Sequence, residues 1–206
     1  MERLYLVTDR HLGDVPSQTA RALAGLAPGT ALVQLREKDL DGRALHELAV
    51  ALLAVTRPAG ARLLVNDRLD VALACGANGV HLPEDGLPVA DARALAPPGF
   101  LVAASAHDPE GAAAKSRAGA ELVTIGPIWE TPSKAGMGAP LGVDAIARAV
   151  GAVGGRAAVF AIGGVETPER AAAARRAGAQ GVAAIRAVFG AGDPGAAAQR
   201  LCEAMA

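Results

Sequence analysis

Eight short apolar runs, each followed by a stretch of helical spacing, constrain this 206-residue chain more than any other feature. The runs occupy 4–8, 31–35, 62–65, 79–82, 101–104, 122–125, 157–162 and 181–185. They are near-continuous instead of alternating, the pattern of strands buried on both faces of a parallel sheet. Helices are expected over 19–26, 42–56, 68–75, 89–95, 109–117, 143–150, 168–176 and 194–206. Two of them open with an N-cap residue before proline, Asp108-Pro109 and Thr167-Pro168. The form x-G-A-x-x-V recurs at 75–80, 118–123 and 177–182, each time between a helix and a strand. A left-handed C′ glycine belongs there. Strict alternation of strand and helix predicts a (β/α)8 TIM barrel with right-handed crossovers, in a single domain over 1–206. An open doubly wound sheet is the structural rival.

Composition narrows the function. The chain is 51% apolar but only 2% aromatic, so its helices and strands must approach closely on small side chains. A net charge of −1 gives no electrostatic case for nucleic acid or an anionic membrane, and any anion site must be local. Cys75 and Cys202 have no metal-ligand spacing and suit the reduced state of a cytoplasmic protein. The first residues are too charged for a signal peptide, and no apolar run approaches the roughly 18 residues of a membrane span. A homo-oligomer is compatible with this sequence, which does not specify an oligomeric state.

In a TIM barrel the residues just after each strand converge on one rim, where active sites sit. The second strand leads into Gln34-Leu35-Arg36-Glu37-Lys38, either a salt-bridged surface turn or a cationic site. Asn66-Asp67-Arg68 follows the third; its bland alternative is a helix N-cap, and its functional one a carboxylate for Mg2+. The fourth offers His81, read as a core or supporting histidine, and then Glu84 and Asp85. Ser105 and His107 follow the fifth on one parity, without showing the geometry of a nucleophile pair. The sixth opens into Gly126 to Gly142, with the only Trp (Trp129), the hydroxyls Thr131 and Ser133, and Lys134, a set suited to an anion. Gly163-Gly164 after the seventh and Arg186 after the eighth fall where this barrel usually binds phosphate. Two anion-binding regions result, one at Gly163, Gly164 and Arg186, the other around Arg36, Lys38 and Lys134.

The segments YLVTD (5–9), QLREK (34–38), NDR (66–68), GVHL (79–82), SAH (105–107), GPIWETPSK (126–134) and AIGGV (161–165) together resemble the thiamine phosphate synthase superfamily, over nearly the whole chain. The resemblance implies Mg2+-dependent joining of a hydroxymethylpyrimidine diphosphate to a phosphorylated hydroxyethylthiazole, with diphosphate leaving first. It implies that Arg36, Lys38 and Lys134 hold diphosphate, with Asn66 and Ser105 near it and His107 in the catalytic set. Asp67 would bind Mg2+. Thr131, Ser133, Gly163 and Gly164 would contact the thiazole phosphate, and Gln34, Ile185 and Arg186 complete the substrate-binding set.

Three departures stand out. The second Mg2+ carboxylate of the family falls on Gly86, with Asp85 one residue early. The hydroxyl after the last strand is replaced by Arg186, which still suits phosphate. The stretches 84–89 and 137–141 look more like the paralogous thiazole tautomerase (TenI-type) branch, yet that branch's catalytic histidine falls on Pro127. A tautomerase, with His107 or Glu37 as proton carrier, and a non-catalytic thiamine-phosphate-binding paralogue are therefore the alternatives.

Overall fold

The computed structural model describes residues 1–131 and 139–206. Ser133 and Lys134 of the expected site lie outside the described residues.

Eight parallel strands close into a barrel in sequence order. They are β1 (Leu4–Val7), β2 (Ala31–Leu35), β3 (Arg62–Asn66), β4 (Gly79–Leu82), β5 (Leu101–Ala106), β6 (Leu122–Ile125), β7 (Ala158–Ile162) and β8 (Gly181–Ala184). Ladders β1–β2 and β1–β8 close the ring, pairing Tyr5 with Leu32 on one side and with Ala183 on the other. The doubly wound alternative is thereby excluded. Around the barrel lie α1 (Val15–Leu23), α2 (Gly42–Thr56), α3 (Leu69–Cys75), α4 (Val89–Leu95), α5 (Pro109–Arg117), α6 (Asp144–Val153), α7 (Pro168–Arg176), α8 (Arg186–Phe189) and α9 (Pro194–Glu203). None of the described helices is long and apolar enough to cross a membrane.

Each strand divides its side chains between two cores. One parity faces the helices and joins the larger cluster, as Leu4, Leu6, Val33, Leu63, Val65, Val123 and Val182 do. The other fills the barrel interior with Tyr5, Val7, Leu32, Leu64, Leu101, Ala103, Leu122, Phe160 and Ala183. Burial on both faces is why the runs read as continuous apolar segments.

Local chemistry sets the element ends. Asp108 accepts from the Gly111 amide and Thr167 from the Arg170 amide, each before a proline in the first turn, as expected. The repeated glycines Gly76, Gly119 and Gly178 all have positive φ, at 70°, 106° and 96°.

Several boundaries differ from the sequence reading. α1 begins four residues before 19, because Asp14 caps it at the Ser17 amide and a proline pre-sets the first turn. β1 stops before Thr8, whose hydroxyl donates to Glu37 and accepts from the Arg36 amide. β5 runs two residues beyond 104 and carries Ser105 on the strand itself. β8 ends before Ile185, and Arg186 starts a four-residue helix that carries no periodic signal in the sequence. Asn66 and Asp67 cap nothing: Arg68 holds the N-cap position of α3 without a side-chain bond, and Asp67 has φ 64°.

Candidate active site

The interior parity continues past the strand ends, and the side chains that follow it line one cavity of about 540 Å³. From β2 come Gln34, Arg36 and Lys38; from β3, Asn66; from β5 and its exit, Ser105 and His107. The β6 exit adds Thr131, the β7 exit Gly163 and Gly164, and the β8 exit Ile185 and Arg186. Asp85, Asp9, His81, Thr124 and Glu166 also line it. Arg36 and Lys38, which leave β2, thus share one cavity with Arg186 and the Gly163-Gly164 turn.

Glu37 has the opposite parity. It is buried, accepting from the Thr8 hydroxyl at 2.6 Å and the Arg10 amide at 3.1 Å, and so ties β1 to β2. That fixed role corrects its reading as a proton carrier.

Asp67 is exposed and does not line the cavity wall. Its left-handed backbone follows directly on Asn66, and its amide donates to the His81 carbonyl at 2.8 Å. Its Oδ1 lies 3.0 Å from where a Cβ would stand on Gly86. The same Cβ would meet the Pro83 ring at 2.7 Å, so position 86 has no room for a carboxylate as this loop is folded. Asp85 faces the cavity instead. Lys115 of α5 holds the loop from behind, with Nζ 3.3 Å from the Glu84 carbonyl and 3.2 Å from its carboxylate.

A polar chain runs beneath the floor. The Tyr5 hydroxyl is 3.2 Å from His81 Nδ1, His81 Nε2 is 2.9 Å from Ser105 Oγ, and Thr124 Oγ1 is 3.4 Å from the same oxygen. Burial first, then Arg36 and Lys115, pushes the His81 imidazole down to about 3, so the ring is neutral. Burial drives the Tyr5 phenol upward, opposed by a hydrogen bond from the Gln34 side chain. His81 is therefore the supporting residue its sequence position suggested. Tyr5 as its partner was not foreseen, since Tyr5 reads as core. Ser105 pairs with His81 and not with His107, whose Nδ1 donates to the Gly126 carbonyl at 2.6 Å.

The two glycines have a packing reason. Gly163 and Gly164 have φ 91° and 68°, and a Cβ on Gly164 would meet the Glu130 carbonyl and Trp129 Cβ, both at 2.7 Å. The Trp129 amide donates to the Gly163 carbonyl at 3.1 Å. Arg170 of α7 donates to the Gly164 carbonyl at 2.6 Å and stands 5.6 Å from the Trp129 ring centre. The β6 exit and the β7 turn are thus one packed unit.

Residues 4–188 match a family model described as thiamine monophosphate synthase. A relative from Geobacter sulfurreducens, named putative thiamine-phosphate synthase, is 47% identical over 93% of this chain and 88% of its own length. The thiamine-phosphate synthase of Methanoculleus marisnigri is 43% identical over 98% of this chain and 95% of its own. Among solved structures, thiamine phosphate pyrophosphorylase from Pyrococcus furiosus superposes with a TM-score of 0.87 at 31% identity, over 98% of this chain and 95% of that one.

Proposed function

The chain belongs to the thiamine monophosphate synthase family, and on that premise we propose that its cavity joins hydroxymethylpyrimidine diphosphate to hydroxyethylthiazole phosphate. The bond from the pyrimidine methylene to diphosphate oxygen breaks, and the thiazole nitrogen then supplies the electron pair for the new C–N bond. Diphosphate leaves with the electrons of the broken bond, so the demand falls on charge neutralisation at the leaving group. One observation carries this reading: Arg36 and Lys38 share one cavity with Gly163, Gly164 and Arg186, as a substrate pair phosphorylated at opposite ends would require.

Within it, Arg36 and Lys38 take the diphosphate, with Asn66 and Ser105 beside it and Gln34 and His107 lining the same cavity. Thr131, Gly163, Gly164, Ile185 and Arg186 take the thiazole phosphate. Ser133 and Lys134 keep the roles that the family resemblance gives them.

Mg2+ fits the donors present. Asp67 and Asp85 offer carboxylate oxygens, and Asp67 Oδ1 reaches the loop that carries Asp85. No group of three His, Cys, Asp or Glu side chains that could hold a metal occurs among the described residues, so water and diphosphate oxygens would complete the shell. When bound, the ion would neutralise charge on the departing diphosphate. The same reading puts the protein in the cytoplasm, where Cys75 and Cys202, both free, stay reduced.

The test is synthesis of thiamine phosphate by the purified protein from both precursors with Mg2+. Arg36→Ala is expected to lower kcat about 100-fold or more, the order seen when one charge-stabilising donor is removed. Asp67→Asn is expected to abolish Mg2+-dependent turnover; it is cleaner than Asp67→Ala, since Asn tolerates the left-handed backbone. Isomerisation of the thiazole carboxylate phosphate without synthesis would replace this reading with the tautomerase. Tight thiamine phosphate binding without turnover of either kind would replace it with the binding paralogue.

A further inference from the structure

We propose that Tyr5 and His81 form a one-way hydrogen-bond chain that turns the Ser105 hydroxyl proton into the cavity as an anion donor. The proposal rests on the reading of the cavity as a diphosphate site, and adds two residues that act on the anion through Ser105.

His81 is 3% exposed, and each of its ring nitrogens faces an uncharged hydroxyl, Tyr5 on one side and Ser105 on the other, a buried setting that favours the neutral ring. A neutral imidazole has one N–H and one bare nitrogen, so its two neighbours cannot both receive a proton from it. Tyr5 decides which nitrogen is bare. A phenol donates strongly but accepts weakly, because its oxygen lone pair is delocalised into the ring, whereas a bare imidazole nitrogen accepts strongly. The stable arrangement therefore has the Tyr5 O–H donating to Nδ1, at 3.2 Å.

With Nδ1 an acceptor, the ring proton is on Nε2 and is donated to Ser105 Oγ, 2.9 Å away. Thr124 Oγ1 donates to the same oxygen at 3.4 Å. Ser105 Oγ then accepts twice, which uses both lone pairs and leaves its single proton with no partner among the described residues. That proton turns into the cavity that Arg36 and Lys38 also line. The opposite tautomer would draw the Ser105 proton back to Nε2 and present a lone pair to the anion.

The tautomer is read in the protein alone, by long-range 1H–15N correlation at neutral pH. The four histidines are assigned with single His→Gln variants. Protonated Nε2 with bare Nδ1 at His81 is expected; protonated Nδ1 overturns the proposal. The second readout is calorimetric titration with Mg2+ and inorganic diphosphate. Tyr5→Phe and Ser105→Ala are each expected to weaken binding about tenfold, the worth of one hydrogen bond to a charged group. The double variant should be no weaker than Ser105→Ala alone, because Tyr5 acts only through that hydroxyl. Additive losses would make Tyr5 a packing residue and sink the chain. A parent protein with the Nε2–H form that binds diphosphate yet makes no thiamine phosphate supports the chain and removes the synthase reading.

Discussion

His81 on β4 and Asp67 just past the end of β3 are joined by one backbone hydrogen bond, and both are held in place at a cost to stability. The unfolded chain protonates its histidines near pH 6.5, whereas burial and the charges of Arg36 and Lys115 delay His81 in the folded protein to about 3. Between those values the unfolded state binds the extra proton, so stability falls as pH falls, by up to about 1.4 kcal/mol per pH unit. His81→Gln should flatten the acid limb of a plot of unfolding free energy against pH, with little change in slope above pH 6.5. A parallel shift of the whole curve would show that His81 is not the group responsible. For Asp67 the cost is backbone strain, since a side chain at φ 64° is disfavoured by about 1–2 kcal/mol. Asp67→Gly relieves that strain and regains most of it as entropy of the unfolded chain, so Tm should move little. Turnover should nevertheless vanish, and thermal melts run beside the synthesis assay would separate a ligand lost from a fold lost.

At the scale of elements, the β6 exit and the β7 turn are packed against each other through Gly163 and Gly164. Gly29, with φ 77° and open space around it, is the control: Gly29→Ala should cost only the backbone preference, about 1–2 kcal/mol. Gly164→Ala meets the Glu130 carbonyl and Trp129 at 2.7 Å, and should cost a further ~1–3 kcal/mol as the two loops separate. Trp129 is the only tryptophan, so a change in its emission would report that separation directly. Helices with a capping residue and proline at their start, such as α5 and α7, were legible because the signal is local and chemical. The start of α1 was missed because the helix was placed on its apolar spacing and not on Asp14. α8 was missed because four residues carry no period. Among the residues that line the cavity, Gln34, Asn66 and Ser105 were legible because interior parity carries every second side chain to the rim. The Tyr5–His81 contact could not, since it spans 76 positions and exists only once the barrel has closed.

Across the whole molecule, the floor of the site is only as firm as the interior beneath it. That interior holds few large side chains in a chain that is 2% aromatic, and Phe160 is the largest apolar one. Its ring lies edge-on to Tyr5, with centroids 6.2 Å apart and planes at 81°, and it fills the space that opens beside Gly181. Tyr5 therefore rests on Phe160 below and holds His81 above. Phe160→Ala should cost about 3–5 kcal/mol, because alanines and glycines nearby cannot close the void. Phe160→Leu keeps most of the volume and should cost less than about 1.5 kcal/mol, yet it removes the edge contact that fixes the Tyr5 ring. Denaturant unfolding should rank the two variants in that order, with an unchanged m-value for Leu. The more telling comparison is diphosphate affinity. Phe160→Leu should weaken it several-fold while Mg2+-free stability is nearly retained, because a loosened phenol no longer fixes the His81 tautomer. Affinity unchanged in a Phe160→Leu protein would mean that the rim is held by its own loops, and that the interior supplies stability without shaping the site.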